Sequence, residues 1–185
     1  MTKREAIQKV FGLYRSFGTA DYIGESISQL EHASQAAQCA IEEGYDDEVV
    51  LAAFFHDIGH LCEMGDETAS MDGYGVQEHE KLGADFLLSC GFSERMAHLV
   101  RSHVAAKRYL CATDPEYYDR LSEASKRTLD FQGGPMTQEE VQAFREHPWF
   151  KESIQMRFWD EKAKEVGIPV INLADLEERA DCILS

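Results

Sequence analysis

Ala52-Ala53-Phe54-Phe55-His56-Asp57-Ile58-Gly59-His60 places an imidazole and a carboxylate directly at the end of an apolar helical run. Carried into a core, such a pair is costly unless it is matched, and a metal ion is the partner that satisfies both groups at once. His32, His79, His103 and Asp160 are further ligands of the same kind. Each sits in a segment of helical pattern among apolar or small residues, and the spacers are long enough to bring several helices to one point. A set of N and O ligands this large suits two metal ions better than one. Asp57, with two carboxylate oxygens, is the natural bridge, and neutral imidazoles fill the remaining positions. No cysteine belongs to the set, which argues against a thiolate zinc site.

Outward from this run the periodicity is helical rather than alternating, and most Gly and Pro residues fall where helices should stop. The expected fold class is all-α, a helical bundle around the ligands. One helix is expected over about 25–43, closed by Gly44. The next begins near Asp46 with acidic residues in its first turn and ends with His56 and Asp57 near Gly59. Residues 66–76, with Gly65 before them and Gly73 and Gly75 within, read as a loop leading to a helix that contains His79 and stops at Gly91. Ser93, with Met96 three residues on, reads as the N-cap of a helix that sets His103 and Lys107 at i and i+4 on one face. A polar helix is expected over 114–130, then a turn at Phe131-Gln132-Gly133-Gly134-Pro135 and a new helix from Thr137. His147-Pro148 interrupts it, residues 149–164 carry Asp160 on another, and the last helix starts near Val170.

The chain has 185 residues, 44% of them hydrophobic, enough to bury a single core, and one domain over 1–185 is expected. A formal net charge of -16 opposes binding to nucleic acid or an anionic membrane, so an anionic ligand must be small and locally held. Cys39, Cys62, Cys90, Cys111 and Cys182 show no CxxC spacing and are odd in number, which favours free thiols in a reducing compartment. No signal peptide or membrane span is visible, and a cytoplasmic location is expected. No obligate protein partner is implied.

In order and helical setting, His32, His56-Asp57 and Asp160 resemble the HD-domain superfamily, whose members bind one or two metals in an all-α bundle. The added His79 and His103 are similar to its di-metal subset of phosphodiesterases and diiron oxygenases. Longer blocks narrow the likeness: Asp21-Tyr22-Ile23-Gly24-Glu25, Gln29-Leu30-Glu31-His32, Gly73-Tyr74-Gly75-Val76, Glu78-His79-Glu80-Lys81, His103-Val104-Ala105-Ala106-Lys107-Arg108-Tyr109-Leu110, Phe131-Gln132-Gly133-Gly134-Pro135-Met136 and Trp159-Asp160-Glu161-Lys162. They resemble the 2-amino-1-hydroxyethylphosphonate dioxygenase family of diiron oxygenases. That resemblance implies one iron on His32, His56, Asp57 and Asp160, a second on Asp57, His79 and His103, and O2 as co-substrate at a mixed-valence Fe(II)/Fe(III) pair. It also implies a substrate pocket of Tyr22, Glu25, His60, Lys107, Ser125 and Gln132, with Tyr22, Glu25 and His60 nearest the chemistry. The implied reaction splits a small aminophosphonate at its carbon–phosphorus bond to glycine and phosphate.

The residue types are suited to that task. Lys107 offers a point charge to a phosphonate, Ser125 and Gln132 offer neutral hydrogen bonds, and Glu25 pairs with an ammonium. The resemblance also implies that Tyr22, three residues before Glu25, occupies an open metal position until substrate displaces it, the two residues moving as one lid. Alternatives stay open: the N-trimethyl analogue as substrate, or a metal-dependent phosphohydrolase in which the same ligands hold Mn, Mg or Zn and activate water. His60 is either a hydrogen-bond partner of a ligand or a substrate contact. His98, five residues before His103, faces elsewhere on its helix, and His147 before Pro148 is read as structural.

Overall fold

The computed structural model describes residues 1–22, 25–62, 64 and 78–184. Among the described residues eleven helices make up the fold, and the only strand-like feature is an isolated antiparallel bridge between Asp21 and Ser28. The loop expected over 66–76, and the Gly73-Tyr74-Gly75-Val76 block in it, lie outside the described residues.

The centre of the bundle is α3 (Asp47–Phe55), in which every residue from Val49 to Phe55 is buried. Asp46 caps it, accepting a hydrogen bond from the Val49 amide, and the acidic first turn complements the helix dipole. A helix apolar on all sides needs neighbours on all sides. It has them in α2 (Gln29–Glu42), α6 (Glu94–Thr113), α10 (Phe150–Lys162) and α11 (Leu173–Ile183). The first helix, α1 (Lys3–Phe17), presents Ala6, Val10, Phe11 and Tyr14 inward, and the Tyr14 hydroxyl donates to the Phe54 carbonyl at 2.9 Å.

Several boundaries differ from those expected. The second helix starts at Gln29, not near Glu25, because Ser28 and Glu31 form a reciprocal capping box at its head. Glu25 is thereby left in the turn before the helix. The third helix ends at Phe55; the chain turns through His56 and Asp57 and resumes as α4 (Ile58–Cys62). The segment 114–130 is two helices, α7 (Tyr117–Arg120) and α8 (Glu123–Phe131), split where Ser122 caps the second. The last helix begins at Leu173, capped by Asn172.

Ser93 caps α6 as expected, and Thr137 heads α9 (Gln138–Arg145) with a full capping box. Gly91, at φ 88°, ends α5 (His79–Ser89) in the left-handed region that suits glycine. A second apolar cluster of Tyr109, Leu110, Tyr117, Leu121 and Val141 supports the outer end of α6. Among the described residues no disulfide joins the cysteines, and no helix is long and apolar enough to cross a membrane.

Candidate active site

The burial of α3 carries His56 and Asp57 to the middle of the bundle, where they are 0% and 7% exposed. His32 arrives from the first turn of α2, His79 from the first residue of α5, His103 from the middle of α6 and Asp160 from the last turn of α10. The His79 position depends on Gly59. A Cβ built on Gly59 would lie 1.9 Å from the His79 carbonyl oxygen, so only glycine lets α4 approach the head of α5 this closely.

The six candidate ligands form two groups around one carboxylate. Asp57 Oδ2 lies 3.5 Å from His32 Nε2 and 3.4 Å from His56 Nε2, and Asp160 Oδ1 lies 3.3 Å and 3.8 Å from the same two atoms. Asp57 Oδ1 lies 3.1 Å from His79 Nε2 and 3.3 Å from His103 Nε2. In three of the rings Nδ1 faces a backbone carbonyl: His32 to Ala163 at 2.8 Å, His56 to Ala53 at 2.7 Å and His103 to Val100 at 2.7 Å. A carbonyl only accepts, so each of these Nδ1 atoms carries a proton, and whenever the ring is neutral its Nε2 presents a lone pair.

Those nitrogens face one another, His32 to His56 at 3.0 Å and His79 to His103 at 3.1 Å. With both rings neutral, the Nε2 lone pairs of His32 and His56 would repel at that distance, unless a cation or a proton lies between them. The proton load follows the same logic. Burial works against a charged His56, yet Asp57 and Asp160 outweigh it and raise the imidazole to about 10. Burial likewise opposes ionisation of Asp57 and Asp160, but His56 and the other imidazoles hold Asp57 well below the usual carboxylate range, and Arg157 leads in doing so for Asp160. A donor set of imidazoles and carboxylates without thiolate fits first-row transition metals, and the shared Asp57 fits two of them.

His60 takes a position between the roles open to it. It lines the cleft beside these ligands, its ring stacks on His79 at 3.9 Å, and one of its nitrogens lies within 4.8 Å of ligand atoms on Asp57 and His79. Burial, and then the neighbouring His79, lower it to about 3, so at neutral pH the ring is uncharged.

The cleft over this centre holds about 560 Å³ of empty space, counting the open solvent at its mouth. Tyr22, Glu25, His60, Lys107, Ser125 and Gln132 all line it. The Tyr22 ring stacks on His32 at 3.8 Å. Burial first, then Asp57 and Asp160, push this phenol well up, which keeps its proton on. Lys107, 3% exposed, donates to Thr128 Oγ1 at 2.9 Å and to the Ser125 carbonyl at 3.4 Å. The buried Gln132 Oε1 has no hydrogen-bond partner among the described residues. Glu25 is ion-paired with Lys164 at 2.7 Å.

Thr128, Arg157 and Lys164 also line the cleft, and local sequence does not single them out. Arg157 is 4% exposed; its guanidinium holds Asp160 Oδ2, Glu161 and the Tyr117 hydroxyl and reaches Ser125 Oγ at 3.4 Å. Its one signal in the sequence is its place three residues before Asp160 on one helix face. His98 and His147 lie outside the cleft and stack on each other at 3.6 Å.

Residues 20–132 match the HD domain family. The chain is 44% identical over 158 residues to an uncharacterized protein of Acanthamoeba polyphaga mimivirus, covering 85% of this chain and 72% of that one. It is 41% identical over 169 residues to the [1-hydroxy-2-(trimethylamino)ethyl]phosphonate dioxygenase (glycine-betaine-forming) of Leisingera caerulea, covering 91% and 85% of the two chains. With the hydroxymethylphosphonate dioxygenase of Gimesia maris it shares 35% identity over 185 residues, covering 99% and 90%.

Proposed function

This chain belongs to the HD-domain family, and from that premise we propose that it is an iron-dependent oxygenase that cleaves the carbon–phosphorus bond of a 1-hydroxyalkyl phosphonate. The substrate assigned is (2-amino-1-hydroxyethyl)phosphonate, which with one O2 gives glycine and inorganic phosphate in atom balance. The observation that carries the reading is Asp57, one oxygen turned to each imidazole pair, at the floor of a cleft lined by Lys107 and Arg157. The two relatives named as phosphonate dioxygenases, aligned over nearly the whole chain, support it.

His32, His56, Asp57 and Asp160 would hold one iron, and Asp57, His79 and His103 the other. Bound there, an iron pair supplies the redox capacity to use O2 and a Lewis-acid hold on the substrate's hydroxyl and phosphonate oxygens. The protein's own groups fix the substrate. Lys107 places a cation against the phosphonate, with Ser125 and an inverted Gln132 amide as neutral donors. Glu25 receives the ammonium, and Tyr22, stacked over His32, keeps bulk water from the floor of the cleft until substrate enters. The fixed geometry turns C1 and its hydroxyl toward the ligand cluster.

Protein loaded with Fe(II) without oxygen and then exposed to O2 should release glycine and phosphate in equal amounts, matched by oxygen uptake. Oxygen-independent hydrolysis of a phosphate ester, with no oxygen-linked phosphate from the phosphonate, would place the protein among the phosphohydrolases instead. The N-trimethyl analogue is the second reading, favoured by the Leisingera relative, and belongs in the same assay as a parallel substrate.

A further inference from the structure

Lys107, Arg157 and Lys164 all line the cleft, but only Lys164 sits at the end where Glu25 stands. Its Nζ is 2.7 Å from Glu25 Oε1 and 3.3 Å from Ser122 Oγ, and the Glu25 and Lys164 side chains are 18% and 17% exposed. The backbone that carries Lys164 is pinned on both sides. The Ala163 carbonyl accepts from His32 Nδ1 at 2.8 Å. The Glu165 amide donates to Gln35 Oε1 at 3.0 Å, while its carbonyl accepts from Gln35 Nε2 at 2.8 Å. Glu25 lies on a turn closed by hydrogen bonds from Tyr22 N to Ile27 O and from Glu25 N to Tyr22 O. A lysine on a fixed post thus already neutralises the carboxylate that a substrate cation would use.

We propose that Lys164 sets whether this cleft prefers a phosphonate carrying an ammonium group or one without a cationic group, by occupying on Glu25 the place a substrate cation would take. The proposal rests on the phosphonate reading above and extends it to substrate choice. An ammonium substrate has to displace Lys164 and exchanges one charge-assisted bond for another, so the amine gains little. A substrate without a cationic group, such as hydroxymethylphosphonate, leaves the pair intact. With Lys164 removed, a substrate ammonium satisfies an otherwise unpaired, partly buried carboxylate, whereas a substrate without a cationic group leaves it bare. Selectivity should then swing toward the cation by about tenfold to a hundredfold, the span covered by one charge-assisted hydrogen bond.

The test is anaerobic calorimetric titration of the metal-loaded full chain with (2-amino-1-hydroxyethyl)phosphonate and with hydroxymethylphosphonate, alongside aerobic phosphate release from both. In Lys164→Met the ratio of affinities, aminophosphonate over hydroxymethylphosphonate, should rise at least about tenfold. In Lys164→Arg, which keeps a cation on Glu25, it should stay within about twofold of wild type. Should Lys164→Met fail to fold, Lys164→Gln carries the same comparison. An unchanged or lowered ratio in the neutral variant overturns the proposal. Wild type that binds the phosphonates but releases no oxygen-dependent phosphate sinks the oxygenase reading and leaves the Lys164 comparison decisive. Wild type that binds neither sinks both.

Discussion

Asp57 is the residue on which the centre turns, since each of its oxygens belongs to a different pair of imidazoles. Asp57→Ala should lower metal affinity by more than the roughly 10–100-fold typical of an outer partner's loss, read as metal content after dialysis. Arg157→Lys is the outer-partner case: Asp160 loses a planar, multidentate hold, and metal retention should fall within that roughly 10–100-fold range while the fold survives. Lys107 gives a pH test. Burial, and then the Arg157 charge, bring its ammonium down to about 7. Only the charged form attracts a phosphonate, so substrate affinity should weaken as pH rises through about 7. That limb should vanish in Lys107→Arg, while Lys107→Ala should raise KM more than it lowers kcat. The candidate ligands are legible in the sequence because a histidine or aspartate set among apolar helical residues is buried at a cost that a bound cation offsets. Arg157 and Lys164 are not, because a charged residue on a helix or just past it faces solvent by default, and only the packing of α10 on α2, with the bonds of Arg157 to Ser125 and of Lys164 to Ser122, turns these two inward.

The helices bring in particulars that local sequence carries unevenly. Caps are written in a few adjacent residues, which makes Ser93 and Thr137 readable. Ser28 with Glu31 carries the same signal but competes with the acidic Glu25 three residues upstream, and the true boundary is what frees Glu25 for the cleft. Gly59 carries no such signal. Its need for glycine comes from the His79 carbonyl across a helix interface, a contact absent from any window around it. Gly59→Ala should force α4 and α5 apart, costing about 1–3 kcal/mol in urea denaturation. It should also weaken the His79 and His103 metal position more than the His32 and His56 one, since only the former rests on α5. Metal stoichiometry under limiting iron would show the difference.

Across the whole molecule, the ligands come largely from helices that are also the principal packing partners of α3, so the centre and the core are one structure. Metal bound only by the folded chain adds about 4 kcal/mol at a thousandfold excess over its dissociation constant, and a domain of this size moves roughly 2–4 °C per kcal/mol. Stripping metal with a chelator should therefore lower Tm by about 10 °C, read by calorimetry, with recovery on re-addition. The bundle and its central apolar helix are legible because helical period and apolar content are summed over many residues, whereas the break between α7 and α8 turns on Ser122 alone. The Nδ1 bonds of His32, His56 and His103 to backbone carbonyls reach beyond geometry. They settle the tautomers of those three rings before any cation arrives, so the facing Nε2 atoms of His32 and His56 have room for one proton or one metal and not both. Metal loading at that pair is then an ion exchange: the cation that enters evicts the proton, unbuffered solution acidifies as the position fills, and acid should return the metal to solution.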